Sequence, residues 1–319
     1  MHIFITGGAG FIGSQTAEAL LQRGDSVSVI DLFDFGYDPR RKEDNIRILS
    51  QYPQFRLYRG DIRDRNLLRR IFQEQKPDVV VHLAARAGVR PSLEEPASYM
   101  DINITGTVEI LETMKEFGCD RMVFASSSSV YGSRKQGPFR ETDNVDIPAS
   151  PYAATKRAGE IICANYHYLY NMQCTCLRFF TVYGPRQRPE MAIHLFADKI
   201  SKGERITMFG DGSSIRDYTF VEDIVTGVIA SIDTPLGYEI INLGNSSPIR
   251  LDALIQKIAV SLGTTANIIQ LPDQPGDVPL TYADVSKAKQ LLRYAPDTPL
   301  DVGLARFVQW YTTYTPSDS

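Results

Sequence analysis

Through the first 180 residues, short apolar runs rich in Val, Ile and Phe alternate with longer stretches in which apolar residues recur every third or fourth position. The runs at 2–6, 26–31, 55–59, 79–82, 121–126 and 174–180 predict strands, and the stretches at 11–23, 40–51, 64–75, 97–117 and 152–170 predict helices. Such alternation predicts right-handed βαβ units and an α/β fold with a doubly wound parallel sheet. Ligands of such sheets sit beyond the carboxyl ends of the strands.

After residue 181 the regularity is lost, and Pro185, Pro189, Gly203, Gly210, Gly212, Pro272, Pro275, Gly276 and Pro279 divide the chain into short pieces. Residues 238–244 read again as a strand that returns to the main sheet. The expected division is therefore a main domain of residues 1–180 with about 218–246, and a smaller C-terminal α/β lobe of 181–217 and 247–319.

The 319 residues, 43% hydrophobic and 23% charged, suffice for an ample core. A net charge of −4 gives no electrostatic reason to expect nucleic acid or an anionic membrane as partner. No apolar run reaches the roughly 18 residues of a membrane span, and Met1 stands one residue before the first strand, leaving no room for a signal peptide. Cys119, Cys163, Cys174 and Cys176 lie in apolar or helical settings without metal-like spacing, so they read as reduced core thiols. No metal site is expected, and the expected compartment is the cytoplasm.

Directly after the first strand, Gly7, Gly10 and Gly13 have the G-x-x-G-x-x-G spacing, and Phe11 and Ile12 open a helix. Absent side chains allow the tight turn and let backbone N–H groups reach a pyrophosphate at the positive helix end. The loop predicts a Rossmann-type dinucleotide site. Asp31, closing the second strand, can accept both adenosine ribose hydroxyls and would repel a 2′-phosphate, which favours NAD over NADP. After the third strand, Asp61 and Ile62 stand where an adenine lies, Asp61 being alternatively the N-cap of the next helix. Leu83, Ala84, Ala85 and Ala87 follow the fourth strand and let the cofactor lie close to backbone, and Asn103 falls in a helix that passes under the nicotinamide.

Tyr152 and Lys156, at i and i+4, share one helix face. A free tyrosine titrates near pH 10, but a neighbouring ammonium and a positive nicotinamide favour the phenolate and make it a usable base. The run Ser126–Ser129 closes the fifth strand and supplies a hydroxyl to the same substrate oxygen.

With these motifs in place, the chain resembles the extended short-chain dehydrogenase/reductases, specifically their nucleotide-sugar epimerases. The resemblance runs through 6–13, 82–85, 127–132, 152–156, 178–185 and 210–218. It implies that Tyr152 is the base, that Lys156 orients it and binds the nicotinamide ribose, and that Ser127 assists. Sugar 4,6-dehydratases and UDP-glucuronate decarboxylases of this superfamily carry an acidic residue just before Val-Tyr-Gly, where this chain has Ser128 and Ser129. Simple oxidation and re-reduction is therefore expected.

Residues 181–192 are similar to those of the UDP-glucuronate 4-epimerases. The substrate residues this implies are Arg90, Ser128, Ser129, Thr181, Arg188, Ala192, Arg216 and Asp277, with a guanidinium at Arg188 suited to a sugar carboxylate or the diphosphate. The reaction implied interconverts UDP-glucuronate and UDP-galacturonate through a 4-keto sugar. A 4-epimerase of neutral UDP-sugars, a decarboxylase, a dehydratase and a non-catalytic NAD-binding protein are the alternatives. The resemblance also implies a homodimer whose helices 97–117 and 152–170 form a four-helix bundle, using Ile110, Leu111, Met114, Ile161, Ile162, Tyr166 and Leu169. Ordinary packing of these side chains in the core is the alternative.

Overall fold

A computed structural model describes residues 1–33, 37–272 and 278–314. The apolar runs form β1 (His2–Thr6), β2 (Ser26–Asp31), β3 (Phe55–Arg59), β4 (Val79–His82), β5 (Arg121–Ser127) and β6 (Gln173–Phe179). The chain then adds β7 (Thr181–Tyr183), β8 (Arg205–Phe209), β9 (Ile215–Phe220), β10 (Tyr238–Leu243), β11 (Pro248–Arg250), β12 (Asn267–Leu271) and β13 (Leu280–Thr281). The helices are α1 (Phe11–Arg23), α2 (Pro39–Leu49), α3 (Arg65–Gln75), α4 (Val89–Glu94), α5 (Pro96–Met100), α6 (Gly106–Phe117), α7 (Pro151–Tyr170), α8 (Ala192–Ser201), α9 (Val221–Asp233), α10 (Leu251–Ser261), α11 (Ser286–Leu292) and α12 (Leu300–Thr313).

Seven strands form one parallel sheet in the order β10-β6-β5-β4-β1-β2-β3. The order reverses between β1 and β4, which opens the ligand crevice at their carboxyl ends. The two-residue period of the strands divides the core. Ile3 and Ile5 of β1 face α1, α2 and α9, while Phe4 faces α3, α6 and α7 through Leu68, Phe72, Ile110 and Cys163. The smaller sheets, β7 and β11-β9-β13 in one and β12-β8 in the other, lie with α8, α10 and α12 around a separate apolar cluster. Among the described residues no helix is long and apolar enough to cross a membrane.

Under the active-site end of the sheet lies a buried ion pair. Arg178 on β6 donates through Nε and Nη2 to the two carboxylate oxygens of Glu160 on α7, at 2.8 and 2.9 Å, with side chains 1% and 0% exposed. Ser126 on β5 donates to Glu160 Oε1 at 2.6 Å, and Arg157 reaches Glu160 Oε2 at 3.2 Å. The Arg178 guanidinium lies 4.8 Å from the ring centre of Tyr131, whose hydroxyl donates to Asn242 Oδ1 of β10 at 2.7 Å.

One expected helix is divided. The stretch 97–117 is α5, a wide turn of π-type over Asp101–Thr105, and α6. The extra residue in that turn carries the Asn103 amide inward to the backbone of Arg86 and to Thr155, which regular spacing would not do. The list of dimer residues also divides. Ile110, Leu111 and Met114 are buried in the core of the single chain because α6 packs on α3 and the sheet, and Tyr166 of α7 is buried in the same cluster, with Ile162 packed partly buried against it. Ile161 and Leu169 are each 53% exposed, and Tyr168 on the same helix is 85% exposed.

Replacing Glu160 by Gln leaves the Arg178 cation buried without its anion. Unfolding in urea should show a loss of about 3–5 kcal/mol, and most of it should return when both members are replaced together by Leu and Met. A loss under about 1 kcal/mol for Glu160→Gln would mean that water reaches the pair.

Candidate active site

The glycine loop closes the crevice from below. Gly7 takes φ +71°, and a Cβ there would stand 2.8 Å from the Ala84 nitrogen, while one on Gly13 would stand 2.4 Å from the Gly7 carbonyl oxygen. Only bare backbone fits this crossing of β1, α1 and the segment after β4. Helix α1 starts at Gly10 without any side-chain cap, so its first-turn N–H groups and positive dipole end are left to an anion in the crevice. Asp31 lies at the end of β2. It accepts from the amides of Ala9 and Phe33, each at 3.1 Å, and from Lys42 Nζ at 2.8 Å.

These groups surround a cavity of about 570 Å³. Of the residues expected to hold the cofactor, Gly7, Gly10, Phe11, Ile12, Gly13, Asp31, Asp61, Ile62, Leu83, Ala84, Ala85, Ala87, Tyr152 and Lys156 line it. Asp61 has Arg63 as its partner, whose Nε lies 3.0 Å away and whose hydrogen bonds hold the carboxyl below its usual range. The cap of α3 is Asp64, which accepts from the Leu67 amide at 3.0 Å, so Asp61 is not the cap. Asn103 does not line the cavity. Its amide is engaged by Arg86 N and O and by Thr155 Oγ1, so it braces the floor instead. Lys42 and Tyr37 line the cavity too and had no motif to announce them.

The catalytic face is built by a cap. Ser150 accepts from the Ala153 amide at 3.1 Å and Pro151 supplies the fixed φ of a first helical residue, which places Tyr152 in the first turn of α7 and Lys156 one turn on. Ser126 turns down to Glu160, so the hydroxyl presented to Tyr152 is that of Ser127. Ser127 also accepts from the amide and hydroxyl of Ser129, at 3.2 and 2.9 Å. Ser128, Ser129 and Thr181 line the same cavity.

The electrostatics differ from the expectation in one respect. Burial raises the Tyr152 phenol above its ordinary value, and the opposing influences are the Ser127 hydrogen bond and the positive charge of Arg188. Lys156 is turned to the sheet, donating to the Ala125 carbonyl at 2.8 Å with its Nζ 6.0 Å from the centre of the Tyr152 ring. Burial lowers its pKa to about 8.

A second cavity of about 860 Å³ opens toward the smaller lobe and is lined by Arg90, Ala192, Lys199 and Phe209, among others. The Arg90 guanidinium lies 4.8 Å from the Phe209 ring centre. Arg188 and Arg216 line both cavities and so stand at their seam. Asp217 does not serve as their counter-ion: its carboxylate accepts the amides of Asn245, Ser246 and Ala283, at 2.9, 2.9 and 3.0 Å. The expected substrate residue Asp277 lies outside the described residues.

The lowered Lys156 pKa has a thermodynamic consequence. The unfolded chain binds this proton up to about pH 10.5 while the folded one releases it from about pH 8, so stability contributed at Lys156 rises with pH across that window. Protein free of nucleotide should thus gain stability between pH 8 and 10.5 relative to its Lys156→Met variant, in which the slope is missing. Parallel melting-temperature profiles of the two proteins would overturn the assignment.

Residues 3–244 match the NAD dependent epimerase/dehydratase family. The chain is 44% identical over 310 residues to a UDP-glucuronate 4-epimerase of Thermodesulfobacterium geofontis, covering 97% of this chain and 95% of the relative. Its structure is similar to a UDP-glucuronic acid 4-epimerase from Bacillus cereus in complex with UDP-glucuronic acid and NAD, with TM-score 0.91, 36% identity and 98% and 99% of the two chains covered. It is as similar to a dTDP-glucose 4,6-dehydratase double mutant from Streptomyces venezuelae, with TM-score 0.92, 30% identity and 98% and 97% covered. The glycine cradle, the Tyr152 and Lys156 face and the match over residues 3–244 agree: the chain belongs to the NAD dependent epimerase/dehydratase family.

Proposed function

We propose that the chain is an NAD-dependent UDP-glucuronate 4-epimerase, converting UDP-glucuronate and UDP-galacturonate into one another. One observation carries the reading. Among the described residues lining the first cavity only Asp31 and Asp61 are acidic, the one ending β2 and the other following β3, whereas Tyr152 stands on α7. Tyr152 is bonded to Ser127 and feels the charge of Arg188, and it shares the cavity with the hydroxyls of Ser128, Ser129 and Thr181. A site so equipped can take one hydroxyl proton and return it, but has no second carboxylate for elimination.

The glycine loop, the open first turn of α1 and Asp31 hold the pyrophosphate and the adenosine ribose of NAD. Bound there, NAD would supply a reversible hydride acceptor for C4 of the sugar. Tyr152, bonded to Ser127, accepts the 4-hydroxyl proton and later returns it to the same oxygen, once the turned keto sugar has received the hydride on the opposite face of C4. Lys156, one turn along the helix, holds the nicotinamide ribose.

Arg188 and Arg216 meet the diphosphate and the acidic sugar at the seam of the cavities, with Arg90 and Ala192 lining the nucleotide side. The 4-keto form of a glucuronate is a β-keto acid that loses carbon dioxide when its carboxylate stands in line with the carbonyl π-system. Hydroxyls of Ser128, Ser129 and Thr181 hold the carboxylate away from that alignment. In this reading residues 1–180 with about 218–246 carry the cofactor, and 181–217 with 247–319 carry the sugar nucleotide. The exposed face of Ile161, Tyr168 and Leu169 supports a homodimer through a four-helix bundle, and four unpaired buried thiols support a cytoplasmic setting.

Proton NMR of the products from UDP-glucuronate and UDP-glucose, supplied separately, tests the reading. UDP-galacturonate is the expected main product; a pentose nucleotide would establish decarboxylation instead. Tyr152→Phe should lower turnover by about 10²–10⁴-fold. Arg188→Ala should cost kcat/KM about 30-fold or more on the acidic sugar, as loss of a charged hydrogen bond does, and markedly less on the neutral one. In solution, Leu169→Glu should convert a dimer to a monomer by light scattering, and an unchanged mass would exclude this face as the interface.

A further inference from the structure

Arg186 occupies the third position of a tight turn, 184–187, closed by the Gln187 amide donating to the Gly184 carbonyl at 3.2 Å. Its φ of +64° is a left-handed conformation that such turns reserve for glycine or asparagine. A residue with a long side chain persists there only where its surroundings fix it. Here they are supplied by α1. Arg186 Nη2 donates to Glu18 Oε2 at 2.6 Å, with the side chains 18% and 20% exposed. Three residues before Glu18, and on the same helix face, Gln15 donates from Nε2 to the Pro185 carbonyl at 3.0 Å.

The other side of the turn is held as well. Gln187 Nε2 donates to the Val182 carbonyl at 3.3 Å, and His194 Nδ1 donates to the Gln187 carbonyl at 2.8 Å. Two residues past Arg186 stands Arg188, which lines both cavities and whose own ion pair, with Glu190 at 3.3 Å, is local. Helix α1 is the same helix whose open first turn faces the pyrophosphate cradle. The cofactor helix is therefore joined to the turn that precedes Arg188 by two direct side-chain contacts, Glu18 to Arg186 and Gln15 to the Pro185 carbonyl.

We propose that Glu18 and Arg186 form a positioning pair that sets Arg188 at the seam of the two cavities, so that the grip on the sugar nucleotide is referenced to the helix carrying the cofactor pyrophosphate. The proposal rests on the reading that Arg188 contacts substrate. A turn needed only for packing would be served better by glycine, which closes it without strain. The arginine makes sense as the carrier of the contact to Glu18.

That contrast supplies the test. Arg186→Gly removes the contact while relieving the backbone, so the NAD-loaded enzyme should keep its melting temperature and its bound cofactor. KM for UDP-glucuronate should rise about tenfold with kcat within about threefold, the pattern of lost binding common to ground and transition states. Glu18→Gln should act in the same direction. In an Arg188→Ala background Arg186→Gly should add less than about twofold, because both changes act through one side chain. An Arg186→Gly effect that persists undiminished in that background overturns the proposal, as does an unchanged KM in the wild-type background. Parallel measurement with UDP-glucose separates this from the functional reading. Equal losses on both sugars would place Arg188 on the common diphosphate and remove the preference for glucuronate, leaving the positioning role intact.

Discussion

The ion pair between Glu160 and Arg178 is the constraint on which the rest of the site depends. The segments that build the catalytic face each contribute one member to its network: β5 gives Ser126 next to Ser127, α7 gives Glu160 two turns below Tyr152, β6 gives Arg178 three residues before Thr181, and the turn after β5 gives Tyr131 two residues past Ser129. Two charges in a dry interior gain little net stability over an apolar pair of equal size. What they supply is direction. A bidentate guanidinium–carboxylate fork has one good geometry, and slippage of α7 along the sheet would break two charged hydrogen bonds at once.

A second network fixes the same helix from the cofactor side. Thr107 donates to the Asn103 carbonyl, so the proton between Thr107 and His82 belongs to His82 Nε2, and His82 Nδ1 must accept from Thr6. Thr6 in turn accepts the Ala84 amide, while Asn103 donates to Thr155 and Thr155 to the Tyr152 carbonyl. Every proton in this chain has one direction. That requires His82 to stay neutral, and complete burial lowers its pKa to about 3. The floor under the glycine loop and the first turn of α7 are thus one hydrogen-bonded unit.

The strands of the main sheet and the glycine, tyrosine and lysine motifs were legible because each is local: a two-residue period, a seven-residue glycine spacing, an i to i+4 pair. Tyr238–Leu243 was legible for the same reason, and it does join the large sheet beside β6. The residues that sequence reasoning missed act across distance. Glu160 and Arg178 look like an ordinary helix-surface acid and a strand-end base until the fold brings them together, and Lys42 reaches Asp31 from a helix with no motif. Spacing places Lys156 on the face of Tyr152 but says nothing of the Ala125 carbonyl that its ammonium also finds. Among the apolar residues of α6 and α7, periodicity could not separate those facing the sheet from those facing outward.

Backbone similarity does not choose the reaction. TM-scores of 0.91 and 0.92 relate this chain to an epimerase and to a dehydratase almost equally, so the sheet, the cradle and the α7 face are shared equipment for moving a hydride. What differs is which groups stand around the carbon that has been oxidised. A dehydratase must remove a proton and a leaving group from neighbouring carbons and needs a further acid or base there. In the proposed reading that volume is bounded by the hydroxyls of Ser128, Ser129 and Thr181, which line the cavity of Tyr152 and can hold a carboxylate by neutral hydrogen bonds. For an acidic sugar this choice has a second consequence. A cation set directly against the carboxylate would hold it more tightly, whereas loss of carbon dioxide requires the carboxylate to shed its charge into the adjoining ketone. In the proposed reading, hydroxyls that fix the direction of the C5–C6 bond relative to the ketone π-system control decarboxylation through orbital alignment, and the guanidinium of Arg188 at the seam contributes affinity for the acidic sugar.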